Sequence, residues 1–252
     1  MPVSVVIVAK NEARDITACL DHASWAEERL VVDTGSTDET MALAAAAGAR
    51  VLQHTWLGYA ATKNWAFAQA RHDWILSLDA DERISPELAL EIPRVVQSEA
   101  PAVAYELPRR FHFQGRWMRH GGCYPDWQLR LFQRGRARYG ADLVHERLQV
   151  DGAMGRLRGA LEHDSYPTLS DFLVKLEEYS TLWAQQAWAQ GRRRKWYHAF
   201  ALQTGFASRY VLKGGFLDGR AGYTWALLAG MHSHLKYAKL AELERTSGGG
   251  VA

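Results

Sequence analysis

The order of apolar and polar positions gives the first half of the chain an alternating pattern of strands and helices. Three stretches, VSVVIVA, RLVVD and DWILSLD, are too continuously apolar for one-sided strands and predict strands buried on both faces. Segments with helical spacing lie between them: NEARDITACLDHA, TMALAAAAGA, which Gly48 closes, and ATKNWAFAQARH. RVLQHTW adds a short strand. This alternation predicts a doubly wound α/β fold with a mixed, mostly parallel sheet flanked by helices.

After Pro101 the pattern changes. AVAYELPRRFHFQG and DWQLRLFQRGRARYG are one-sided, rich in arginine and aromatic residues, and predict antiparallel strands. A long amphipathic helix is then indicated by four side chains at helical spacing, Phe172, Leu176, Tyr179 and Trp183. Glycine-punctuated aromatic helices are expected to follow as far as Lys239.

These patterns predict three parts of the chain. Residues 1–165 form an α/β domain, residues 166–245 form a helical, aromatic-rich region, and residues 246–252 form a disordered tail. The TSGGG sequence in the tail has no residues that would anchor it to a core.

Composition narrows the class of protein. The chain has 252 residues with 48% hydrophobic and 23% charged residues, which is typical of a globular protein. Its net charge of +2 gives no sign of a nucleic-acid partner. The only two cysteines, Cys19 and Cys123, form no C-x-x-C pair, which suits a reducing compartment. We expect no signal peptide and no membrane-spanning segment, and therefore a cytoplasmic protein.

The segment WILSLDADERIS places three acids, Asp79, Asp81 and Glu82, directly after a buried strand. In an extended backbone, Asp79 and Asp81 would point to the same side, where a divalent cation with oxygen ligands would relieve their repulsion. The alternative is a polar turn that ends the strand, with Ser85–Pro86 beginning a helix.

Polar residues also follow the other strands of the predicted sheet. Asn11 and Glu12 follow the first strand, and Asp33 and Asp38 follow the second. Ligands of doubly wound sheets bind beyond the carboxyl ends of the strands. We therefore expect these residues to meet the Asp79/Asp81 pair at one edge of the sheet.

Four motifs in this order, VVIVAKNE, VVDTGSTDET, KNWA and LSLDADE, resemble family 2 glycosyltransferases of the GT-A fold over roughly residues 3–165. The later motifs YPDWQLRLF, VHERL, LEHDSYPTLSDFLVKLEEYS and GGFLDGRAG resemble the β-1,4-glucosyltransferases that act on the inner core of lipopolysaccharide or lipo-oligosaccharide. A dehydrogenase is disfavoured because no G-x-G-x-x-G follows an early strand.

The resemblance implies inverting transfer of a sugar, with glucose from UDP-glucose as the donor and an inner-core heptose as the acceptor. Two alternatives stay open. One is a member of the same family with another lipid-linked or protein acceptor, and the other is a non-catalytic protein that binds nucleotide sugars.

The resemblance also implies that residues 1–165 are the nucleotide-sugar-binding and catalytic domain and that residues 166–245 face an acceptor or a membrane. It further implies roles for individual residues. A divalent cation, Mg²⁺ or Mn²⁺, is expected at Asp81 with Asp79 nearby, and His163 in LEHDS is the expected third ligand. Asp33 corresponds to the residue that binds uracil or ribose, and Asn11 and Glu12 are expected to line the same pocket.

Three further residues have a candidate binding role beside a structural alternative. Lys63 is expected to contact a phosphate or to be solvated on its helix. Arg130 is expected to reach phosphate or acceptor, or to form a salt bridge at a sheet edge. Asp38 is expected to contact the ligand or to cap the helix that starts at Glu39.

Direct displacement needs a base for the acceptor hydroxyl. Members of the family that the chain resembles commonly place this base in a Glu-Asp pair. The chain has no such pair where it is expected and offers Asp126 and Glu146 instead. A strand from Trp127 to Gln133 would separate its two ends by about 20 Å at roughly 3.3 Å per residue. Asp126 precedes this strand and Glu146 follows it, so only one of them can easily reach the anomeric carbon. The family that the chain resembles usually places its acidic pair after such a strand, so the resemblance favours Glu146, with a salt bridge to Arg147 or another nearby arginine as its alternative role.

The segment RRRKWYHAF, Arg192 to Phe200, places four cations beside three aromatic residues. More aromatic residues follow: Phe206, Tyr210, Phe216 and Trp225. Cations favour anionic headgroups and aromatic rings favour the interface, so we expect peripheral docking on the cytoplasmic face of the inner membrane, where a lipid-linked acceptor lies. The alternative is a solvated loop followed by an ordinary helical core.

Overall fold

The computed structural model of the protein describes residues 2–98, 102–140, 148–166 and 168–248, with side chains as far as residue 246. The chain divides into two compact units. The first contains Met1–Arg109 and Asp126–His163, and the second contains Arg110–Pro125 and Asp164–Ala252.

The strands in chain order are β1 (Val3–Ala9), β2 (Glu28–Asp33), β3 (Arg50–Gln53), β4 (Trp74–Leu78), β5 (Glu82–Ile84), β6 (Ala104–Phe113), β7 (Arg116–Trp117), β8 (Asp126–Gln133), β9 (Ala137–Tyr139), β10 (Leu148–Val150), β11 (Met154–Arg156) and β12 (Leu161–Tyr166). The α-helices are α1 (Ile16–His22), α2 (Thr40–Ala46), α3 (Tyr59–Ala68), α4 (Pro86–Gln97), α5 (Leu169–Ala189), α6 (Ala201–Ala207) and α7 (Gly219–Gly248).

The strands form a mixed sheet in the order β3-β2-β1-β4-β8-β6-β12-β5, and β7 and β11 each pair with β6. Strands β1 to β4 pair in parallel, whereas β8 pairs antiparallel with both β4 and β6. Strands β9 and β10 form a separate antiparallel pair. The expected α/β class and the antiparallel strands after Pro101 are confirmed.

Helices cover both faces of this sheet. Alternate side chains of β1 enter different cores: Val5 and Ile7 pack with α1, α2 and α4, while Val6 packs with α3 on the other face. This two-sided burial explains why β1 is a continuous run of apolar residues. Because β1, β2 and β4 are parallel, their carboxyl ends lie at one edge of the sheet, where the predicted site residues follow them.

Two helix starts show how local sequence sets the boundaries. The Ser85 hydroxyl accepts a hydrogen bond from the Leu88 N–H, and Pro86 occupies the first turn, as expected for the beginning of α4. Helix α1 begins at Ile16, later than the helical pattern predicted, because Asn11 has a positive φ of 57° and residues 12–15 form a turn.

The second unit is mainly helical. In α5 the buried side chains recur at every fourth position, Phe172, Leu176, Ser180 and Ala184, so the amphipathic helix is confirmed while the predicted Tyr179 is exposed. A 3₁₀ turn (Trp196–Phe200) precedes α6, and a π-helical turn (Ser208–Leu212) and a second 3₁₀ turn (Gly215–Asp218) lead into α7.

Helix α7 is longer than the sequence indicated. It ends at Gly248, so residues 246–248 are helical although we expected a disordered tail from residue 246. The last four residues, 249–252, lie outside the described part. Among the described residues, none of the helices combines the length and apolar character needed to cross a membrane.

Candidate active site at the carboxyl ends of the parallel strands

The two aspartates of the DAD sequence lie in a turn rather than in a strand. Strand β4 ends at Leu78, and the Glu82 N–H donates a hydrogen bond to the Asp79 carbonyl at 3.0 Å. The side-chain alternation of an extended segment therefore does not apply. The expectation that Asp79 and Asp81 share a face loses this basis, and their carboxylates contact different partners.

Asp79 lies between two cations that the sequence analysis had also singled out. Lys63 Nζ lies 2.9 Å from Asp79 Oδ1, and Arg130 Nη2 lies 2.5 Å from Asp79 Oδ2. Burial raises the pKa of Asp79, but attraction to Arg130 and Lys63 outweighs it and holds this pKa well below its usual range. Asp79 is thus a permanent anion that fixes both cations.

Glu82 extends this network into the interior. Its side chain is fully buried and lies 2.9 Å from Arg130 Nη2 and 3.4 Å from Arg109 Nη1. Arg109 in turn donates to Asp126 from Nε at 2.8 Å. A continuous network of ion pairs therefore links Lys63 to Asp126.

Arg130 is the buried centre of that network of ion pairs. Burial lowers its pKa, but Glu82 and Asp79 outweigh this and raise the pKa well above its ordinary value. Within the described residues its buried Nε has no hydrogen-bond partner. A buried donor of this kind is unfavourable alone and suits an oxygen supplied by a ligand.

Asp81 faces His163 of β12, with 3.2 Å between Oδ2 and Nε2. A carboxylate oxygen and an imidazole nitrogen are suitable ligands for Mn²⁺ or Mg²⁺ when phosphate oxygens and water complete the shell. This pair fits a divalent cation, but the expected set with Asp79 as a third ligand is not assembled. In the described ranges, no three His, Cys, Asp or Glu side chains converge to hold a metal.

The residues after β1 and β2 brace one loop. The buried Asp33 carboxylate accepts hydrogen bonds from the Gly35 and Ser36 N–H groups, each at 3.0 Å. The Asn11 side chain accepts the Thr37 N–H at 2.8 Å. In this structure both side chains therefore hold the loop in shape.

Asp38 and Glu12 meet at the start of α2. Asp38 accepts the Thr40 N–H at 3.0 Å and the Ala13 N–H at 3.2 Å, so it bonds the first residue of α2, although the N-cap position is Glu39. The Glu12 N–H donates to the Thr40 hydroxyl at 2.8 Å. These contacts place Glu12 beside the same loop.

A cavity of about 490 Å³ lies at the ends of β2 and β3. Asp33, Gln53, His54 and Trp56 are among the residues that line it. The His54 ring stacks on Trp65 with 3.9 Å between centroids, which fixes one wall. The volume of this cavity is in the range of protein sites that bind small molecules.

Several site residues were missed by sequence reasoning. The Tyr59 ring contacts both Lys63 and Tyr139, and burial raises the pKa of both tyrosines. Asn64 of KNWA exchanges two hydrogen bonds with the Tyr139 backbone, each at 2.9 Å. The KNWA motif could have indicated Asn64, whereas no motif in the sequence pointed to Tyr139 of β9.

Of the two candidate bases, Asp126 lies in the described part of the chain, at the start of β8. Both oxygens of Asp126 accept hydrogen bonds, Oδ2 from Arg109 and Oδ1 from Gln128 Nε2 at 2.8 Å. This is an arrangement for holding a group in position rather than for taking a proton. Glu146 and the neighbouring His145 and Arg147 lie outside the described residues.

In the second unit, the predicted interfacial aromatics separate into two groups. Trp196 is 81% exposed, and Tyr197, Phe200 and Phe216 are about half exposed. Trp225 instead packs on Phe111 and Phe113, so its predicted place at an interface is wrong. Trp225 stays internal because it completes an apolar cluster.

Comparison with known proteins agrees with this geometry. The model of the glycosyl transferase family 2 matches residues 4–163. The lipopolysaccharide core biosynthesis glycosyltransferase LpsC of Rhizobium meliloti is 30% identical over 95% of this chain and 92% of its own length. An uncharacterized glycosyltransferase of Rickettsia typhi is 27% identical over 97% of this chain and 88% of its own length.

Two solved structures that are similar to the chain overlap with less than half of it. Glucosyl-3-phosphoglycerate synthase from Mycobacterium tuberculosis, crystallised with Mn²⁺ and UDP, aligns with 44% of each chain at 24% identity and a TM-score of 0.36. S. aureus TarS in complex with UDP-GlcNAc aligns over 46% of this chain and 36% of its own, at 23% identity and a TM-score of 0.41. The family match and the full-length relative carry the assignment: the chain belongs to glycosyl transferase family 2 and is similar to a glycosyltransferase of lipopolysaccharide core biosynthesis.

Proposed function

We propose that this protein is an inverting, metal-dependent glycosyltransferase that moves glucose from UDP-glucose to a heptose of the lipopolysaccharide inner core. The observation that carries the proposal is the Lys63–Asp79–Arg130 cluster beside the Asp81–His163 pair, at the strand ends of a family 2 chain. Its similarity to the LpsC relative over 95% of the chain supports the acceptor class.

The donor is proposed to lie along this edge of the sheet. Its uracil enters the cavity lined by Asp33, His54 and Trp56. Its diphosphate meets Lys63 and Arg130, whose orientation Asp79 fixes through both carboxylate oxygens.

Asp81 and His163 are the residues that would hold the divalent cation. When bound, this cation supplies Lewis-acid stabilisation of the charge that develops on the leaving diphosphate. The chain itself contributes the fixed positive charges of Lys63 and Arg130, which need no reorganisation as the anomeric bond breaks.

The transfer is proposed as a single displacement. The acceptor hydroxyl oxygen bonds to the anomeric carbon, the bond from that carbon to the diphosphate oxygen breaks, and UDP leaves. Glu146 takes the hydroxyl proton. Arg109, held by Asp126 and Glu82, orients the acceptor nearby.

We also propose that the protein works at the cytoplasmic face of the inner membrane. The exposed rings of Trp196, Tyr197 and Phe200 beside the cations of residues 192–195 support this placement. It would bring the enzyme to a lipid-linked acceptor.

The decisive experiment is a donor and acceptor screen. Purified protein with Mn²⁺ or Mg²⁺ is incubated with a panel of UDP-sugars, with and without core oligosaccharides that end in heptose, and released UDP and glycan mass are measured. We expect UDP-glucose with a heptose acceptor to give the fastest turnover. Donor binding without UDP release from any pair would instead indicate a non-catalytic nucleotide-sugar-binding protein, and turnover with another acceptor only would reject the heptose.

A further inference from the structure

A second cavity lies within the helical second unit. It has a volume of about 810 Å³ and lies between the basic segment 194–198 and one face of α7. The α7 residues that line it follow helical spacing: His234, Ala238, Ala241 and Arg245. The two alanines leave room in the middle of this face, and its ends lie about 16 Å apart at 1.5 Å per residue.

The cavity is rich in cations that lack acidic partners. In the described part of the chain, the side chains of Arg194, Lys195 and Arg245 form no ion pair. Glu244 is the one acidic residue that lines the cavity, and its carboxylate accepts the Arg194 backbone N–H at 2.5 Å. Glu244 therefore tethers the basic segment to α7 through the backbone rather than through the arginine side chain.

Aromatic rings form the rest of the wall. The His198 ring stacks on Tyr237 with 3.7 Å between centroids and an interplanar angle of 14°. The ring of Trp196 lines the same cavity and is 81% exposed. Burial, together with Lys195 and Arg194, lowers the pKa of His198, as expected for an imidazole among cations.

We propose that this cavity binds a phosphate monoester. Two guanidinium groups and one ammonium group match the charge and the acceptor oxygens of a phosphate, and guanidinium binds phosphate in a bidentate way. The exposed ring of Trp196 beside them offers a surface for the sugar or glycerol that carries the phosphate. A phosphorylated saccharide and a lipid headgroup share this chemistry. Arg245 also lies in the last turn of α7, where a cation stabilises the helix, but this role requires no cavity.

The test compares two double variants with the same change in charge. Lys195→Gln/Arg245→Gln removes cations that line the cavity. Arg192→Gln/Arg193→Gln removes neighbouring exposed cations that do not line it, one of which stacks on Trp188 at 3.8 Å. Circular dichroism checks that both variants fold. Binding of inorganic phosphate and of glucose 6-phosphate is measured by calorimetry and by the shifts of the His198 ring in NMR spectra, without any sugar donor.

We expect phosphate to bind the unaltered protein, and to raise the pKa of His198. The cavity variant should weaken binding by about tenfold or more, since hydrogen bonds to charged groups are strong, and the control by less than about twofold. No phosphate binding, or equal weakening by both variants, would overturn the proposal. Because no donor is present, this result is independent of glycosyl transfer.

The remaining measurements distinguish a phosphorylated saccharide from a lipid headgroup as the source of the phosphate. Tighter binding of glucose 6-phosphate than of inorganic phosphate supports a phosphorylated saccharide. Preference for phosphatidic acid over phosphatidylglycerol vesicles of equal surface charge, lost in the cavity variant and kept in the control, supports a headgroup with a terminal phosphate. Vesicle binding that follows surface charge alone and is reduced equally by both variants counts against a specific pocket.

Discussion

Asp79 and Asp81 are two positions apart, yet their surroundings give them different tasks. Lys63 and Arg130 neutralise Asp79, which makes it a poor ligand for a further cation. Asp81 instead faces the imidazole of His163. If the reaction uses a divalent cation as proposed, its metal dependence should rest on Asp81 before Asp79.

The first prediction concerns this residue. Asp81→Asn should reduce metal-stimulated UDP release by about a hundredfold, since Lewis-acid stabilisation by a bound cation contributes several kcal/mol. Removing metal from the unaltered protein with a chelator should have a similar effect, restored by Mn²⁺. Asp151→Asn, which changes an exposed carboxylate outside the site, serves as the charge-matched control and should keep full activity. Full activity of Asp81→Asn at limiting metal would refute this role.

The second prediction concerns stability. Glu82 is fully buried against Arg130 and Arg109, so Glu82→Gln removes one of the two carboxylates that pair with the buried Arg130, while Asp79 remains. The free energy of unfolding should fall by about 2 kcal/mol, the scale of a lost hydrogen bond between charged groups. Glu106→Gln, which opens a more exposed pair with Arg156, should lower it by less than about 1 kcal/mol. Urea denaturation measures both, and equal losses would show that Glu82 is not structurally special.

At the scale of elements, local patterns predicted the strands more sharply than the turn of the candidate site. Strands β1, β2 and β4 were predictable because burial on both faces demands continuous apolar residues. The turn after Leu78 was one of two alternatives, because period-2 alternation does not mark where the extended backbone ends. The start of α1 was displaced for a similar reason: the positive φ of Asn11 interrupts an otherwise helical pattern.

The third prediction belongs to the basic segment and its 3₁₀ turn. Vesicle sedimentation should show binding of the protein to anionic but not neutral liposomes, because each cation near an anionic surface contributes about 1 kcal/mol. High salt should weaken this binding. Replacing residues 192–195 together with Gln should do so as well, whereas replacing Lys10, an exposed cation of the first unit, should not. Equal binding to anionic and neutral vesicles would reject the electrostatic part of the docking.

At the scale of the whole molecule, the candidate site depends on pairings that no local pattern contains. Arg130 reaches Asp79 across 51 positions of sequence and Glu82 across 48, while Arg109 joins Asp126 across 17. The residue types of the site could be predicted from the ends of the strands. Their partners could not, because these follow from how β8 pairs with β4 and β6.

The last prediction separates the two candidate bases. Glu146→Gln should lower the rate of transfer by roughly 10² or more, the usual scale for loss of a general base, while UDP-sugar and metal bind with near-normal affinity. Asp126→Asn should instead raise the acceptor KM more than it lowers kcat, because Asp126 Oδ2 holds the Arg109 guanidinium and Oδ1 accepts from Gln128, so the carboxylate positions its neighbours. Steady-state kinetics with varied acceptor, together with calorimetry of donor binding, distinguish the two effects. If Glu146→Gln stays active while Asp126→Asn is inactive but binds donor, the roles must be exchanged, and Arg109 would then be the group that positions the base.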